Sequence, residues 1–206
     1  MQVIDILAHH PSTARFISKK LAQRFVSDDP PQALIDRMAA TFMKTDGDLR
    51  AVLQTMFSSQ EFLSDGAWQA KIKSPMEMVV SAVRALNADV NDTFTLAQRI
   101  ADLGEPLYGK LEPTGYPNTG AAWTNTSSVL GRANFATALA AGQVSSVKVD
   151  VSRFNTKPTA FVASELLGTT ASGTMVAAIE KGVRGKQSNP AIITTLVISS
   201  PDFQRR

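Results

Sequence analysis

The stretch that decides the fold class is Pro11–Phe57, PSTARFISKKLAQRFVSDDPPQALIDRMAATFMKTDGDLRAVLQTMF. Phe16, Ile17, Leu21, Ala22 and Phe25 recur at helical spacing, with Arg15, Ser18, Lys19, Gln23 and Arg24 between them, which predicts an amphipathic helix from Pro11 to Phe25. Ser27-Asp28-Asp29-Pro30-Pro31 stops it, because a proline disfavours helix in the residue before it and the polar side chains suit a turn or an N-cap. A second helix is expected from about Pro31, with Leu34, Ile35, Met38, Ala39 and Phe42 as its stripe. A third carries Leu49, Val52, Leu53, Met56 and Phe57. Thr45-Asp46-Gly47-Asp48 separates the two and offers a Thr-x-x-Asp capping pattern. Three amphipathic helices on short polar turns must bury one another, so a small helical bundle follows.

Outward from this stretch the same grammar continues. Ser74-Pro75-Met76-Glu77 sets serine at an N-cap, proline at the first helical position and glutamate in the first turn, predicting a helix to about Leu86 with Met78, Val79, Ala82 and Val83 inward. Another follows Asp92 through Phe94, Leu96, Ala97, Ile100 and Leu103, and ends at Gly104. Residues 105–120 are rich in proline and glycine, which forbids a continuous helix or a central strand there. Helix is expected again from about Ala121 through Trp123, Val129, Leu130, Phe135 and Leu139 to Gly142. Val147, Val149 and Val151 alternate with polar neighbours, the period of a short strand. This segment reads as an extended connector or an edge that pairs outside the chain.

The two ends of the chain resemble each other. Ala14-Arg15-Phe16 through Leu21 aligns with Thr159-Ala160-Phe161 through Leu166, and Ser58-Ser59-Gln60-Glu61-Phe62 with Ser199-Ser200-Pro201-Asp202-Phe203. The predicted fold is mainly α: a compact multi-helix bundle in one domain over 1–206. Two related three-helix units, 14–62 and 160–203, flank a central segment at 74–142 made of a helical hairpin and the Pro/Gly-rich loop.

Composition closes several routes. The 206 residues contain no cysteine, which excludes disulfides, thiolate metal sites and cysteine nucleophiles. A net charge of +3 is spread thinly, and the basic pairs Lys19-Lys20 and Arg205-Arg206 build no nucleic-acid stripe, so no nucleic-acid partner is expected. No segment reaches the roughly 18 uninterrupted apolar residues of a membrane span, and no signal pattern opens the chain.

The candidates for chemistry are few. His9 and His10 are the only histidines, too few for a zinc site, although His10 next to a carboxylate would serve as a general acid or base. Asp28-Asp29 and Asp46-Gly47-Asp48 invite a calcium reading, but the second lacks the remaining ligands of a calcium loop, and capping is the better account. Asp46 and Asp48 stand beside His10 as weak catalytic candidates. Ser145-x-x-Lys148 matches a catalytic spacing without its companion motifs. No cofactor fingerprint and no metal site is present, so none is assigned. Tyr108, Tyr116, Trp123, Asn125 and Arg132, in and after the central loop, combine rings with amide and guanidinium groups and form the candidate ligand-binding set. The alternative is a loop pinned by Tyr and Trp, with Arg132 capping carbonyls.

His10-Pro11-Ser12-Thr13-Ala14-Arg15, Lys20-Leu21, Phe25-Val26, Thr45-Asp46-Gly47-Asp48, Tyr108-Gly109, Pro113-x-Gly115-Tyr116-Pro117, Trp123, Arg132 and the terminal SPDFQRR together resemble the bacterial domain-of-unknown-function family 1800. The resemblance spans nearly the whole chain and carries no established reaction. It implies a longer, often exported protein of which this chain matches the C-terminal portion, hence a periplasmic or secreted location and a partner in the preceding half. The leading expectation is an interaction or scaffold domain. The alternatives are a hydrolase of ester, phosphoester or glycosidic bonds, and a carbohydrate-binding module.

Overall fold

The computed structural model describes residues 2–183 and 189–206. Eleven α-helices and one two-stranded sheet among these residues make the chain mainly α, as the periodicity predicts. The residues cluster into two compact units, one built on 1–71 with 118–120 and 206, the other on 72–117 with 121–205.

The first unit contains α1 (Gln2–Ala8), α2 (Pro11–Phe25), α3 (Gln32–Lys44) and α4 (Leu49–Phe57). In α3 the predicted stripe of Leu34, Ile35, Met38, Ala39 and Phe42 is buried throughout. In α2 the buried residues are Ala14, Ser18 and Ala22, whereas Phe16 and Phe25, expected inward, are exposed. The correction has a steric cause: small side chains repeating every fourth residue let α2 lie close against α3, and a phenylalanine on that line would hold the helices apart. The Ser18 hydroxyl is closed in on this line without a hydrogen-bond partner. Leu49 and Phe57 of α4 are likewise exposed, and Val52 and Met56 carry its burial.

The turn before α4 departs from its expected capping pattern. Asp48, not Thr45, is the N-cap, its carboxylate accepting from the amides of Arg50 at 2.9 Å and Ala51 at 3.4 Å. That cap contributes about 1 kcal/mol to the helix. Asp46 and Gly47 both take left-handed backbone, φ 52° and 80°. Gly47 is required twice over, since a Cβ there would also lie 3.3 Å from the Phe42 ring.

Asp28, read from sequence as a turn or cap residue, is instead the anchor of the unit. Its carboxylate accepts from the Lys71 ammonium and, at 2.6 Å, from the Gly120 amide. Lys71 is buried and also donates to the Asn118 carbonyl. The backbones of Lys71 and Arg206 exchange two hydrogen bonds, 3.2 and 2.8 Å, and Arg206 reaches the Arg24 carbonyl at 3.2 Å. Nothing in the local sequence pairs residues so distant along the chain.

The second unit contains α5 (Pro75–Ala85), α6 (Thr93–Asp102), α7 (Thr126–Ala140), α8 (Thr159–Leu167), α9 (Gly173–Val183), α10 (Pro190–Ser199) and the short α11 (Pro201–Gln204). α5 opens on the predicted N-cap Ser74, which forms a capping box with the first-turn Glu77, and Met78, Val79, Ala82 and Val83 enter the core with Phe135, Leu139, Val162, Val197 and Ile198. Each of the larger side chains contributes roughly 1.5–3 kcal/mol by leaving water.

Two expectations for this unit are corrected. α7 begins at Thr126, capped by Asn125, after a 3-10 turn over Gly120–Trp123; Val129 and Leu130 face out and Trp123 precedes the helix. The extended segment after α7 neither stays unpaired nor needs an outside partner. Its β2 (Val147–Lys148) runs antiparallel to β1 (Asp89–Val90), with Asp89 opposite Lys148. A two-residue strand shows no period, so the partner was invisible in sequence.

The repeated anchors are built alike. Ser59 Oγ donates to the Met56 carbonyl at 2.6 Å and accepts from the Phe62 amide at 3.2 Å; Ser200 Oγ does the same with Val197 at 2.7 Å and Phe203 at 3.2 Å. In each the second serine caps the turn that follows; Ser200 is also the C-cap of α10, whereas α4 ends on Ser58. Residues 184–188 of the second copy lie outside the described residues.

Candidate functional site

The weak catalytic candidates do not converge. His10 is the N-cap of α2, its Nδ1 accepting from the Ser12 amide at 3.1 Å, and Asp48 caps α4. The carboxylate of Asp46 meets the other histidine: His9 Nε2 lies 2.7 Å from Asp46 Oδ1, and His9 Nδ1 lies 2.6 Å from the Asp5 carbonyl. Asp46 has left-handed backbone, and the pair stands in solvent, its side chains 60% and 78% exposed. Among the described residues no group of three or more His, Asp or Glu side chains could hold a metal ion. Of the Ser145-x-x-Lys148 pair, Lys148 lies in β2 across from Asp89.

The Asp5 carbonyl, then the charge and hydrogen bond of Asp46, hold the His9 imidazole above its ordinary value of 6.5. A raised folded-state value means that the stabilisation is full below the unfolded value and is lost as pH rises through the folded one. NMR titration is expected to show His9 titrating above His9 of an Asp46→Asn chain, with the 2–8 helix fraying at the alkaline end. Equal values in the two chains would rule the pairing out.

The ring, amide and guanidinium set is divided. Tyr108, at φ 58°, is fully exposed on the central loop with Leu111. Tyr116 folds back, its hydroxyl donating to the Pro106 carbonyl at 2.7 Å and its ring 6.2 Å from that of Trp123. Asn125 is spent on its cap, accepting from the Ser128 amide at 2.9 Å. Trp123 and Arg132 come together. They line one cavity of about 260 Å³ with Ile72, Val129, Ser199 and Gln204.

Arg132 is 5% exposed although charged. Its guanidinium donates to Gln204 Oε1 at 2.6 Å and to the Lys73 carbonyl at 2.7 Å, and Gln204 Nε2 passes the network on to the Ile198 carbonyl at 2.7 Å. The capping role expected of Arg132 is therefore present at Lys73. Burial lowers the guanidinium's pKa against the raising influence of Glu105 and Glu77, neither of which touches it. Trp123 is only 7% exposed, which removes the open ring face that a carbohydrate platform needs. Ser199 and Gln204 were absent from the predicted set because the cavity draws them from the chain's far end. Two signals could have found them: Ser199 opens the repeated Ser199-Ser200-Pro201-Asp202-Phe203 anchor, and Gln204 stands in the terminal SPDFQRR stretch.

The described residues define a mainly helical domain with capped helices and with Arg132 buried beside a small cavity. The family model described as "Protein of unknown function (DUF1800)" matches residues 1–205, and the chain belongs to that family. No curated protein and no solved structure matches the chain.

Proposed function

We propose that the chain is an interaction domain that presents α1 to a protein partner. The observation that supports this reading is α1 itself. Not one of its residues is buried, and Val3, Ile4, Ile6 and Leu7 lie on one side with Gln2, Asp5 and Ala8 on the other. A seven-residue helix is marginal in water, and an uncovered row of large aliphatic groups is the ordinary mark of a binding face. The helix is nonetheless held in place at its C-terminal end. Thr13 Oγ1 donates to the Leu7 carbonyl at 2.7 Å and His9 bridges Asp5 and Asp46. The tethers fix the direction of the helix and leave its apolar side free, as helix-in-groove recognition requires. Among the described residues no helix is long and apolar enough to cross a membrane.

A photo-crosslinking residue at Leu7 tests this in the organism's own cells. A discrete adduct at Leu7, absent with the same group at Lys19 and lost in an Ile4→Glu chain that still folds, is the expected result. An adduct of twice the chain's mass would make the partner a second copy. Equal, diffuse labelling at Leu7 and Lys19 would overturn the reading, as would unfolding by Ile4→Glu.

A further inference from the structure

The cavity beside Arg132 has a use that the interaction face does not account for. Its wall is apolar where Ile72, Trp123 and Val129 contribute, and polar where Arg132, Ser199 and Gln204 do. A guanidinium has five N–H groups, and Arg132 places hydrogen bonds on only two acceptors, both neutral. Its Nε has no partner, and neither has the hydroxyl of Ser199 in the same wall. No carboxylate among the described residues forms an ion pair with it, and an arginine buried to this depth is ordinarily paired. Positive charge without a counter-ion, held beside apolar walls in a cavity of about 260 Å³, just under the range for drug-sized ligands, specifies a small anion with an apolar body.

We infer that this cavity binds a small organic carboxylate, its apolar body against Trp123, Ile72 and Val129 and its carboxylate on Arg132. Nε and the Ser199 hydroxyl are closed to water, so the carboxylate enters where Gln204 Oε1 now sits and replaces a neutral acceptor with a charged one. Charge-assisted bonds to a guanidinium are about twice as strong as neutral ones, which drives the exchange. The displaced Gln204 amide keeps its second bond, to the Ile198 carbonyl.

The chain has two tryptophans, and the other, Trp68, is exposed in the first unit, so Trp68→Phe leaves Trp123 as the reporter. Phenylacetate and its neutral isostere phenylacetamide are the probes, titrated at constant ionic strength. Saturable change in Trp123 emission is expected with phenylacetate, at least tenfold tighter than with the amide. Ala133 also lines the cavity, so Ala133→Phe fills it and should abolish both responses. Gln204→Glu supplies an internal carboxylate to Arg132 and should remove the acid's advantage while the chain remains folded by circular dichroism. Equal binding of acid and amide would overturn the inference, as would no response to either or an undiminished acid preference in the folded Gln204→Glu chain. Arg132→Met is the direct variant, and if it does not fold the acid–amide comparison and Ala133→Phe still decide.

Discussion

Replacing Lys71 with alanine is expected to cost roughly 2–4 kcal/mol, read as a lower urea midpoint of the first unit. The ammonium is buried and answers both the Asp28 carboxylate and the Asn118 carbonyl, and removal of one partner from a buried pair leaves the other without compensation. The figure is set below the usual range for a fully buried pair because the Asp28 side chain is 38% exposed. The variant keeps the two backbone hydrogen bonds to Arg206, so the loss reports the side chain. Acid should make the same point from the other side. Burial pushes the Asp28 carboxyl up, but the hydrogen bonds of Lys71 and Gly120 and the charges of Lys71 and Arg206 outweigh it and hold it below its ordinary 3.8. A depressed value stabilises the fold above the unfolded value and is lost as pH falls through the folded one. The parent chain should therefore lose stability on acidification below about pH 4 more steeply than Lys71→Ala does. Parallel curves would remove Asp28 from its assigned role.

Leu139→Ala is expected to cost about 3–5 kcal/mol, while Leu130→Ala in the same helix should change stability by less than about 0.5 kcal/mol. Leu139 is fully buried among the core residues of the second unit, where the lost side chain leaves a cavity that α5 and α10 cannot close. Leu130 stands in water. Chemical denaturation of the two variants separates the faces of α7 directly. Equal losses would mean that α7 is rotated from the orientation described.

The contrast within α7 shows where sequence was informative and where it was not. α3 and α5 were legible because their large apolar residues recur on one face, and in α5 the cap is spelled out by Ser74 with Glu77. α2 misled because the helix–helix contact runs along Ala14, Ser18 and Ala22, small residues that carry little hydrophobic signal, while Phe16 and Phe25 carry a strong one and face water. α1 went unread although Val3, Ile4 and Leu7 have helical spacing, since seven residues give the period less than two full turns.

The site was legible in part for a related reason. Trp123 and Arg132 are unusual residues close together in sequence, and they do share a cavity. Tyr108 is as unusual and stands exposed, because a ring in a loop announces contact without saying with what. Ser199 and Gln204 belong to the same wall and are ordinary residues from the far end of the chain, and only folding joins them to α7. Lys71 and Asp28 are the same lesson in electrostatics: neither side chain is conspicuous, and their pairing depends on a closure that no local pattern encodes.

Hydrogen exchange at the amides of α1 in the purified chain tests the central claim most directly. A short helix with nothing over its apolar face opens locally and often, so its amides should exchange orders of magnitude faster than those of α3, at every protein concentration. Protection of α1 equal to that of α3, independent of concentration, would show that the chain covers this face itself and leaves no surface for a partner.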